Sequence, residues 1–222
     1  MLNLVLKALL KFFTGFLLVV LLVFLPAGTF MFFNGLIFLL ILFVPMIFLG
    51  VYLLLKKPQL LNKRLNVKEM RKEQSIVVKL SGVMFILGFI VAGLNFRFKA
   101  YLLPKNVVII ASIIFIIGYA LYAEVLRENE FLSRTIEVSK NQTVVTTGLY
   151  GVVRHPMYLA SVIMFLSIPL VLGSLYSFII FMFYPIIIIK RINDEEKLLV
   201  KELNGYREYK LKVKYRLIPF VW

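Results

Sequence analysis

A run of 44 residues without a single charged side chain, from Phe12 to Leu55, is the strongest constraint in this 222-residue sequence. As one helix it would extend about 66 Å at 1.5 Å per residue, whereas the hydrocarbon core of a bilayer is about 30 Å thick. The run therefore predicts two membrane spans joined by a turn. The residues that mark this turn are Pro26, Gly28, Asn34 and Gly35.

Later apolar stretches predict four more spans. The last stretch, from Pro156 to Ile189, is again too long for one crossing, and Pro169 and Gly173-Ser174 near its middle predict a tight helical hairpin. The first four predicted spans are Leu4 to Leu25, Phe30 to Leu55, Leu80 to Phe96 and Asn106 to Ala123.

The composition supports this interpretation and limits the available chemistry. Hydrophobic residues make up 61% of the chain and charged residues 17%, which excludes an ordinary soluble domain. The chain has no cysteine and one histidine, His155, so disulfides, thiolate nucleophiles and metal sites built on cysteine or several imidazoles are excluded. We predict an all-α polytopic transmembrane helix bundle of about six spans, with no metal.

The basic residues predict the orientation. Arg97, Lys99 and Lys105 fall on one side of the membrane, and the other 23 of the 26 Lys and Arg fall on the opposite side. By the positive-inside rule, both termini, the loop Lys56 to Lys79 and the segment Glu124 to His155 are expected in the cytoplasm. The net charge of +15 is thus mainly a topology signal that favours anionic lipid headgroups, and we expect no nucleic-acid partner.

The start of the chain allows two interpretations. Lys7 and Lys11 precede an apolar stretch that ends at Pro26, as in a signal peptide, but no Ala-x-Ala cleavage site follows, and we favour a retained helix. The lack of cysteine and the abundance of Ile and Lys suggest a prokaryotic plasma membrane. We divide the chain into an N-terminal four-helix region, residues 1–126, and a C-terminal region, residues 127–222, that carries the polar motifs.

Two polar blocks, Glu124 to Tyr158 and Lys190 to Trp222, bracket the predicted hairpin. Because a hairpin brings its ends together, we expect Arg154-His155-Pro156 to lie close to Arg191 to Glu196. Pro156 suits the first position of a helix, so the loop amides at its mouth, with Arg154 beside them, favour a carboxylate or phosphate. The alternative is that Arg154 and His155 only mark the headgroup boundary.

The second block offers its own alternatives. Arg191 and Glu195 are four residues apart and can simply pair on one helix face. Glu195 and Glu196 beside a histidine loop can hold ribose hydroxyls or a ligand ammonium group, or they can only solvate the helix end. Tyr206 and Tyr209 lie at helical spacing among basic residues, which predicts a cytoplasmic interfacial helix that anchors the chain rather than contacting a ligand.

Four motifs occur in order and together resemble the isoprenylcysteine carboxyl methyltransferase family and its phospholipid methyltransferase relatives. The resemblance covers roughly Glu128 to Trp222, and no GxGxxG motif occurs in the chain. The motifs are Thr146-Thr147-Gly148-Leu149-Tyr150, Val153-Arg154-His155-Pro156-Met157-Tyr158, Arg191-Ile192 with Glu195-Glu196 and Leu199, and Tyr206, Tyr209 and Val213 with Ile218-Pro219.

This resemblance implies an integral-membrane transferase that uses S-adenosyl-L-methionine and encloses it with the last helices and the C-terminal segment. By position, the cofactor-site candidates are Tyr150, His155, Tyr158, Glu195 and Glu196. Arg154, Arg191 and Glu196 become the candidates for catalysis, the two arginines by holding a carboxylate or orienting the acceptor.

Methyl transfer from a sulfonium is an in-line displacement, so the protein chiefly aligns donor and acceptor and excludes water. We expect a lipid-like acceptor, prenylated or acylated, that reaches the site sideways from the leaflet. If the acceptor is an amine, Glu195, Glu196 or His155 is available to take its proton. Two rival functions remain: an NADPH-dependent membrane sterol or enone reductase, whose Arg-His-Pro loop is similar, and a small transporter or scaffold.

Overall fold

The computed structural model describes residues 1–65, 72–133, 135, 138–139 and 141–222, with backbone only at residues 72 and 73. Over these ranges the chain is helical and forms no β-strand. Residues 66–71, 134, 136–137 and 140, which belong to the two predicted cytoplasmic segments, lie outside the described residues. The helices are α1 Leu2–Ala27, α2 Phe33–Lys56, α3 Pro58–Leu65, α4 Lys72–Phe98, α5 Lys105–Glu128, α6 Pro156–Val171, α7 Leu175–Phe181, α8 Tyr184–Glu202 and α9 Tyr206–Lys212.

Five helical stretches in the described part of the chain are long and apolar enough to cross a bilayer. They correspond to α1, α2, α4, α5 and the continuous stretch Leu175–Glu202, while α6 is a shorter apolar helix. The predicted polytopic helix bundle is confirmed, and the protein is an integral membrane protein.

The first predicted turn is confirmed at Gly28. Its φ of 72° is left-handed, and its N–H donates to the carbonyl oxygens of Phe24 and Leu25, which closes α1 as glycine caps commonly do. Pro26 lies in the last turn of α1, whereas Asn34 and Gly35 lie inside α2. The turn is therefore shorter than the breaker residues predicted, because a helix tolerates Asn and Gly in its first turn.

The C-terminal hairpin also turns where the sequence predicted, at Gly173 and Ser174. Gly173 has a φ of 73°, and the Ser174 hydroxyl accepts a hydrogen bond from the Ser177 amide at 3.2 Å to begin α7. The second arm is longer than predicted and continues through α8 to Glu202. Charged side chains ended the apolar run at Lys190, but no Gly or Pro follows Pro185 in this arm, so the helix persists.

The segment predicted as the loop Lys56 to Lys79 contains helical structure at both ends. Helix α3 begins directly after α2, and α4 begins at Lys72. Leu60 and Leu61 of α3 are buried against Leu53 of α2 and Leu126 of α5. This packing holds α3 at the end of the bundle where α2 and α5 terminate and where the loop between α5 and α6 begins. We call this end of the bundle the basic end.

Helix α9 also lies at the basic end and differs from the predicted anchor helix. Tyr206 and Tyr209 are buried at 3% and 4% exposure and pack with Leu203 and Val213. The tyrosines face inward because the chain after them runs back along the loop before α6. The large apolar side chains exposed in this segment are Leu211, Ile218, Phe220 and Val221.

Candidate functional site

A polar cleft opens at the basic end, between the loop after α5 and the facing parts of α6, α8 and α9. Counted with its open mouth it encloses about 810 Å³, and the centre of a water molecule can occupy about 90 Å³ of that space. Glu196 is absent from the described residues that line it. The wall includes six of the seven residues that the sequence put forward: Tyr150, Arg154, His155, Tyr158, Arg191 and Glu195.

Glu128, at the end of α5, shapes the loop that carries the first motif. Its carboxylate accepts hydrogen bonds from the Thr147 hydroxyl at 2.9 Å and the Leu149 amide at 3.3 Å. Gly148 has a φ of 50°, and a Cβ there would lie 2.2 Å from the Glu128 carboxylate. The sequence analysis missed Glu128, because nothing in the linear pattern shows that the loop folds back onto the helix end.

Two tyrosines of the wall are held by hydrogen bonds that link the first and last motifs. The Tyr150 hydroxyl accepts from the Asn129 side-chain amide at 2.9 Å, and the Tyr209 hydroxyl donates to the Tyr150 carbonyl oxygen at 2.7 Å. Burial raises the pKa of Tyr150 and Tyr209 above the ordinary range. Both phenols therefore stay neutral and keep these donor and acceptor roles at physiological pH.

Arg154 of the cleft wall forms a buried ion pair with Glu196, which lies behind that wall. Arg154 Nε lies 2.6 Å from Glu196 Oε1, and both side chains are 4% exposed. The Arg154 Nη1 group donates to the carbonyl oxygens of Val213 and Lys214 at 2.7 and 2.8 Å. The Arg154 guanidinium thus ties α8 and the C-terminal segment to the loop before α6.

Glu196 gathers three further basic groups around the same carboxylate. His155 Nε2 lies 3.3 Å from Oε1, Arg216 Nε lies 3.1 Å from Oε2, and Lys210 Nζ lies 3.6 Å from Oε2. Buried charges persist only when they are paired in this way. The hairpin has therefore brought Arg154 and His155 to the second block, as the sequence predicted.

The loop amides are not available to an anion in the way the sequence suggested. The N–H of Arg154 donates to the Tyr215 carbonyl oxygen and the N–H of His155 to that of Arg216, both at 2.9 Å. Sequence reasoning could not see this, because the partners lie about 60 residues further along the chain.

A second polar group lies directly in the cleft wall, at Tyr158. Its hydroxyl donates a short hydrogen bond to Glu195 Oε2 and accepts one from Arg191 Nε at 2.9 Å. The Arg191 guanidinium also lies over the Tyr158 ring, 5.9 Å from its centroid. Arg191 and Glu195 are therefore joined through a tyrosine of the facing helix, which holds all three side chains in place.

Tyr206 is a residue of the wall that the sequence analysis assigned to anchoring. Its hydroxyl is buried and has no hydrogen-bond partner among the described residues, although it belongs to the cleft lining. Burial raises the pKa of Tyr206 well above its usual value, so the hydroxyl keeps its proton. Buried polar atoms are almost always hydrogen-bonded in native proteins, so this hydroxyl is a candidate for a ligand contact.

A larger, apolar cavity lies beneath the cleft, between α2, α3, α4, α5, α6 and α8. Counted with its opening it encloses about 1800 Å³. Met157, Tyr158 and Arg191 line both this cavity and the polar cleft. The two spaces therefore meet at the Tyr158 hydroxyl group and its arginine partner.

Two glycines widen the apolar cavity, Gly50 on α2 and Gly82 on α4. A Cβ added at either position would meet no atom within 4 Å. Val78, one turn before Gly82, also lines the cavity and is 40% exposed. No Asp or Glu occurs among the described residues of its wall, whose charged side chains are Arg64 and Arg191.

Comparisons with known proteins match part of the chain. The Delta(14)-sterol reductase TM7SF2 of Mus musculus is 33% identical over 91 residues, which is 40% of this chain and 22% of that protein. The chain thus spans about a fifth of the length of that curated relative. A family match covers residues 107–201, from α5 to the end of α8. It confirms the resemblance that the motifs indicated, because the matching family is the isoprenylcysteine carboxyl methyltransferase (ICMT) family.

Proposed function

We propose that this protein is a membrane methyltransferase that moves a methyl group from S-adenosylmethionine to a lipid-like acceptor. The observation that carries the proposal is the junction of the polar cleft and the apolar cavity at Met157, Tyr158 and Arg191. A transferase for a lipid needs a polar pocket for a soluble donor and an apolar pocket for the acceptor, with one shared wall. The family match over residues 107–201 supports the same class.

The polar cleft fits the donor in its chemistry. S-adenosylmethionine supplies an electrophilic methyl group on a positively charged sulfur. The Glu195 carboxylate offers a negative group to a cationic ligand, and the orphaned Tyr206 hydroxyl offers a hydrogen bond. Tyr150, His155 and Tyr158 complete the set of proposed cofactor contacts.

Glu196 has a different role in this proposal from the one its sequence position suggested. Its carboxylate is engaged by Arg154, His155, Arg216 and Lys210 and lies outside the described cleft wall. We therefore assign it as a positioning residue that holds the His155 loop and the C-terminal segment. Arg154 shares that role, and Arg191 remains the arginine that orients the acceptor.

The apolar cavity is the proposed acceptor site. The acyl or prenyl chain of the acceptor enters it from the membrane while the headgroup stays at the basic end. Closing such a site with protein and lipid excludes water from the reacting groups. From the charge distribution we propose that the basic end and both termini face the cytoplasm, and we propose a prokaryotic plasma membrane as the location.

A reductase is the second candidate, because the Mus musculus relative is named as a Delta(14)-sterol reductase. In that case the polar cleft would hold NADPH and the apolar cavity a sterol-like substrate. The two functions share the same architecture and differ in the soluble cofactor.

Calorimetry on the detergent-purified protein distinguishes the two candidates. We expect saturable binding of S-adenosylmethionine and none of NADPH. The Glu195→Gln variant should bind S-adenosylmethionine about tenfold more weakly, the size of a lost hydrogen bond to a charged group. Glu130→Gln, which removes an exposed carboxylate at the same end, is the matched control. NADPH binding alone would replace the proposal with the reductase, and binding of neither would reject both.

A further inference from the structure

Arg64 of α3 is a half-buried cation with neutral partners. Its Nη1 group donates to the Ser133 carbonyl oxygen at 3.0 Å and contacts the Met157 sulfur at 3.5 Å, and Nη2 donates to the Tyr122 hydroxyl. No carboxylate among the described residues lies within ion-pair distance of Arg64. A partly buried guanidinium without an anionic partner is unusual, because burial of a charge is costly unless it is paired.

The Arg64 side chain lies close to both the apolar cavity and the polar cleft. Arg64 lines the apolar cavity, and the Met157 side chain that it contacts lines both the cavity and the polar cleft. The positive side chains among the described residues of the cavity wall are Arg64 and Arg191, and Arg191 is joined to Glu195 through Tyr158. Arg64 is therefore the charge that favours an anion and disfavours a protonated amine in its part of the cavity.

The Arg64 guanidinium also has N–H donors without a partner among the described residues. An arginine has five N–H donors, and the three contacts of Arg64 use both protons of Nη1 and one of Nη2. Nε–H and one of the two Nη2–H groups have no hydrogen-bond partner among the described residues. Free donors on neighbouring nitrogens of a guanidinium can bind a carboxylate or phosphate through two oxygens.

Resting on the proposed function, we propose that Arg64 selects the acceptor by binding an anionic group where the apolar cavity meets the basic end. The acceptor is then an anionic amphiphile whose hydrocarbon chain occupies the cavity. Tyr122 and the Ser133 carbonyl hold the guanidinium in place for this contact. Arg64 acts as a specificity-determining residue contributed by the first half of the chain.

Equilibrium binding of three radiolabelled probes with the same tail tests this proposal: oleate, oleyl phosphate and oleylamine. The protein is held in a non-ionic detergent without added cofactor. We expect Arg64→Met to bind oleate or oleyl phosphate about tenfold more weakly and oleylamine no more weakly. Arg64→Lys, which keeps the charge, should bind the anionic probes within about threefold of the parent protein, since one charge-assisted contact is retained.

Arg97→Met is the matched control, because Arg97 lies near the other end of α4, beside Gly28. Unchanged affinity for both anionic probes in Arg64→Met would overturn the proposal, and so would an equal loss for all three probes or a failure of Arg64→Lys to retain binding. S-adenosylmethionine binding is measured on the same samples. A parent protein that binds oleate through Arg64 but does not bind S-adenosylmethionine would leave this inference standing and reject the proposed methyl donor.

Discussion

The polar cleft and the apolar cavity share a wall but are assembled in different ways. The cleft takes its proposed cofactor residues from short motifs in the last third of the chain, and one buried carboxylate, Glu196, ties those motifs together. The cavity takes its wall from six helices, and its shape depends on how closely those helices approach one another. Charge pairing therefore controls one space and helix packing controls the other.

The largest expected effect tests the charge pairing. Glu196→Ala leaves Arg154 buried without its partner, so we expect a loss of about 3–5 kcal/mol in the free energy of unfolding. Thermal unfolding in detergent measures this. The control is Glu124→Ala, which breaks an exposed pair with Arg127 and should cost less than about 1 kcal/mol. Equal shifts in the two variants would show that the buried cluster does not hold the cleft.

The next effect tests the packing. A Cβ at Gly93 of α4 would lie 2.5 Å from the Val23 carbonyl oxygen of α1, so Gly93→Ala forces the two helices apart. We expect a destabilisation of about 1–3 kcal/mol. Gly82→Ala on the same helix adds its methyl group to open space and should leave the unfolding temperature unchanged or slightly higher. Similar behaviour of both variants would contradict the packing that we describe between α1 and α4.

Measurements of activity and of donor binding should distinguish the apolar cavity from the polar cleft. Gly82→Leu should fill part of the cavity and lower kcat/KM for a lipid acceptor about tenfold, the effect of about 1.4 kcal/mol on transition-state binding, while S-adenosylmethionine affinity stays unchanged. Gly15→Leu is the control, since Gly15 also faces open space but does not line the cavity. A loss of donor affinity in Gly82→Leu would mean that the cleft and cavity are not separate binding sites.

The smallest expected effect tests the Tyr206 hydroxyl of the polar cleft. Tyr206→Phe removes an atom with no partner among the described residues, so the unfolding temperature should not fall. If the hydroxyl contacts the donor, S-adenosylmethionine affinity should weaken about fivefold, within the range of one neutral hydrogen bond. Tyr209→Phe is the contrasting variant, because it loses a hydrogen bond to the Tyr150 carbonyl oxygen and should lower stability instead. Unchanged affinity in Tyr206→Phe would remove that hydroxyl from the donor site.

Much of the fold could be predicted because the bilayer imposes a length on every span. The turns at Gly28 and Gly173 followed from uncharged runs too long for one crossing, and the meeting of His155 with Glu196 followed from the hairpin. The length of α8 was not predicted, since the charges after Ile189 ended the apolar run without ending the helix. Helix α3 was also missed, because eight residues with a mixed composition carry little periodic signal.

The candidate site was predictable only where its residues belong to motifs. Tyr158, Arg191 and Glu195 were put forward from the sequence, and the structure brings them into hydrogen-bonded contact. Glu128 and Arg64 were not put forward, since each acts through partners that are distant in the chain. Tyr206 was found in the sequence but assigned to anchoring, because amphipathic spacing does not reveal which side of a short helix is covered. The division at residue 126 remains a prediction about function.

The sequence by itself determined that the chain crosses a membrane several times, where it turns back, and which motifs meet at the basic end. These properties depend on local composition and on the fixed thickness of a bilayer. Only the tertiary structure decided that Glu196 lies behind the cleft wall, that the loop amides are occupied by the C-terminal segment, and that an apolar cavity reaches Tyr158. Those properties depend on contacts between distant segments, and such contacts leave no periodic trace in a single sequence.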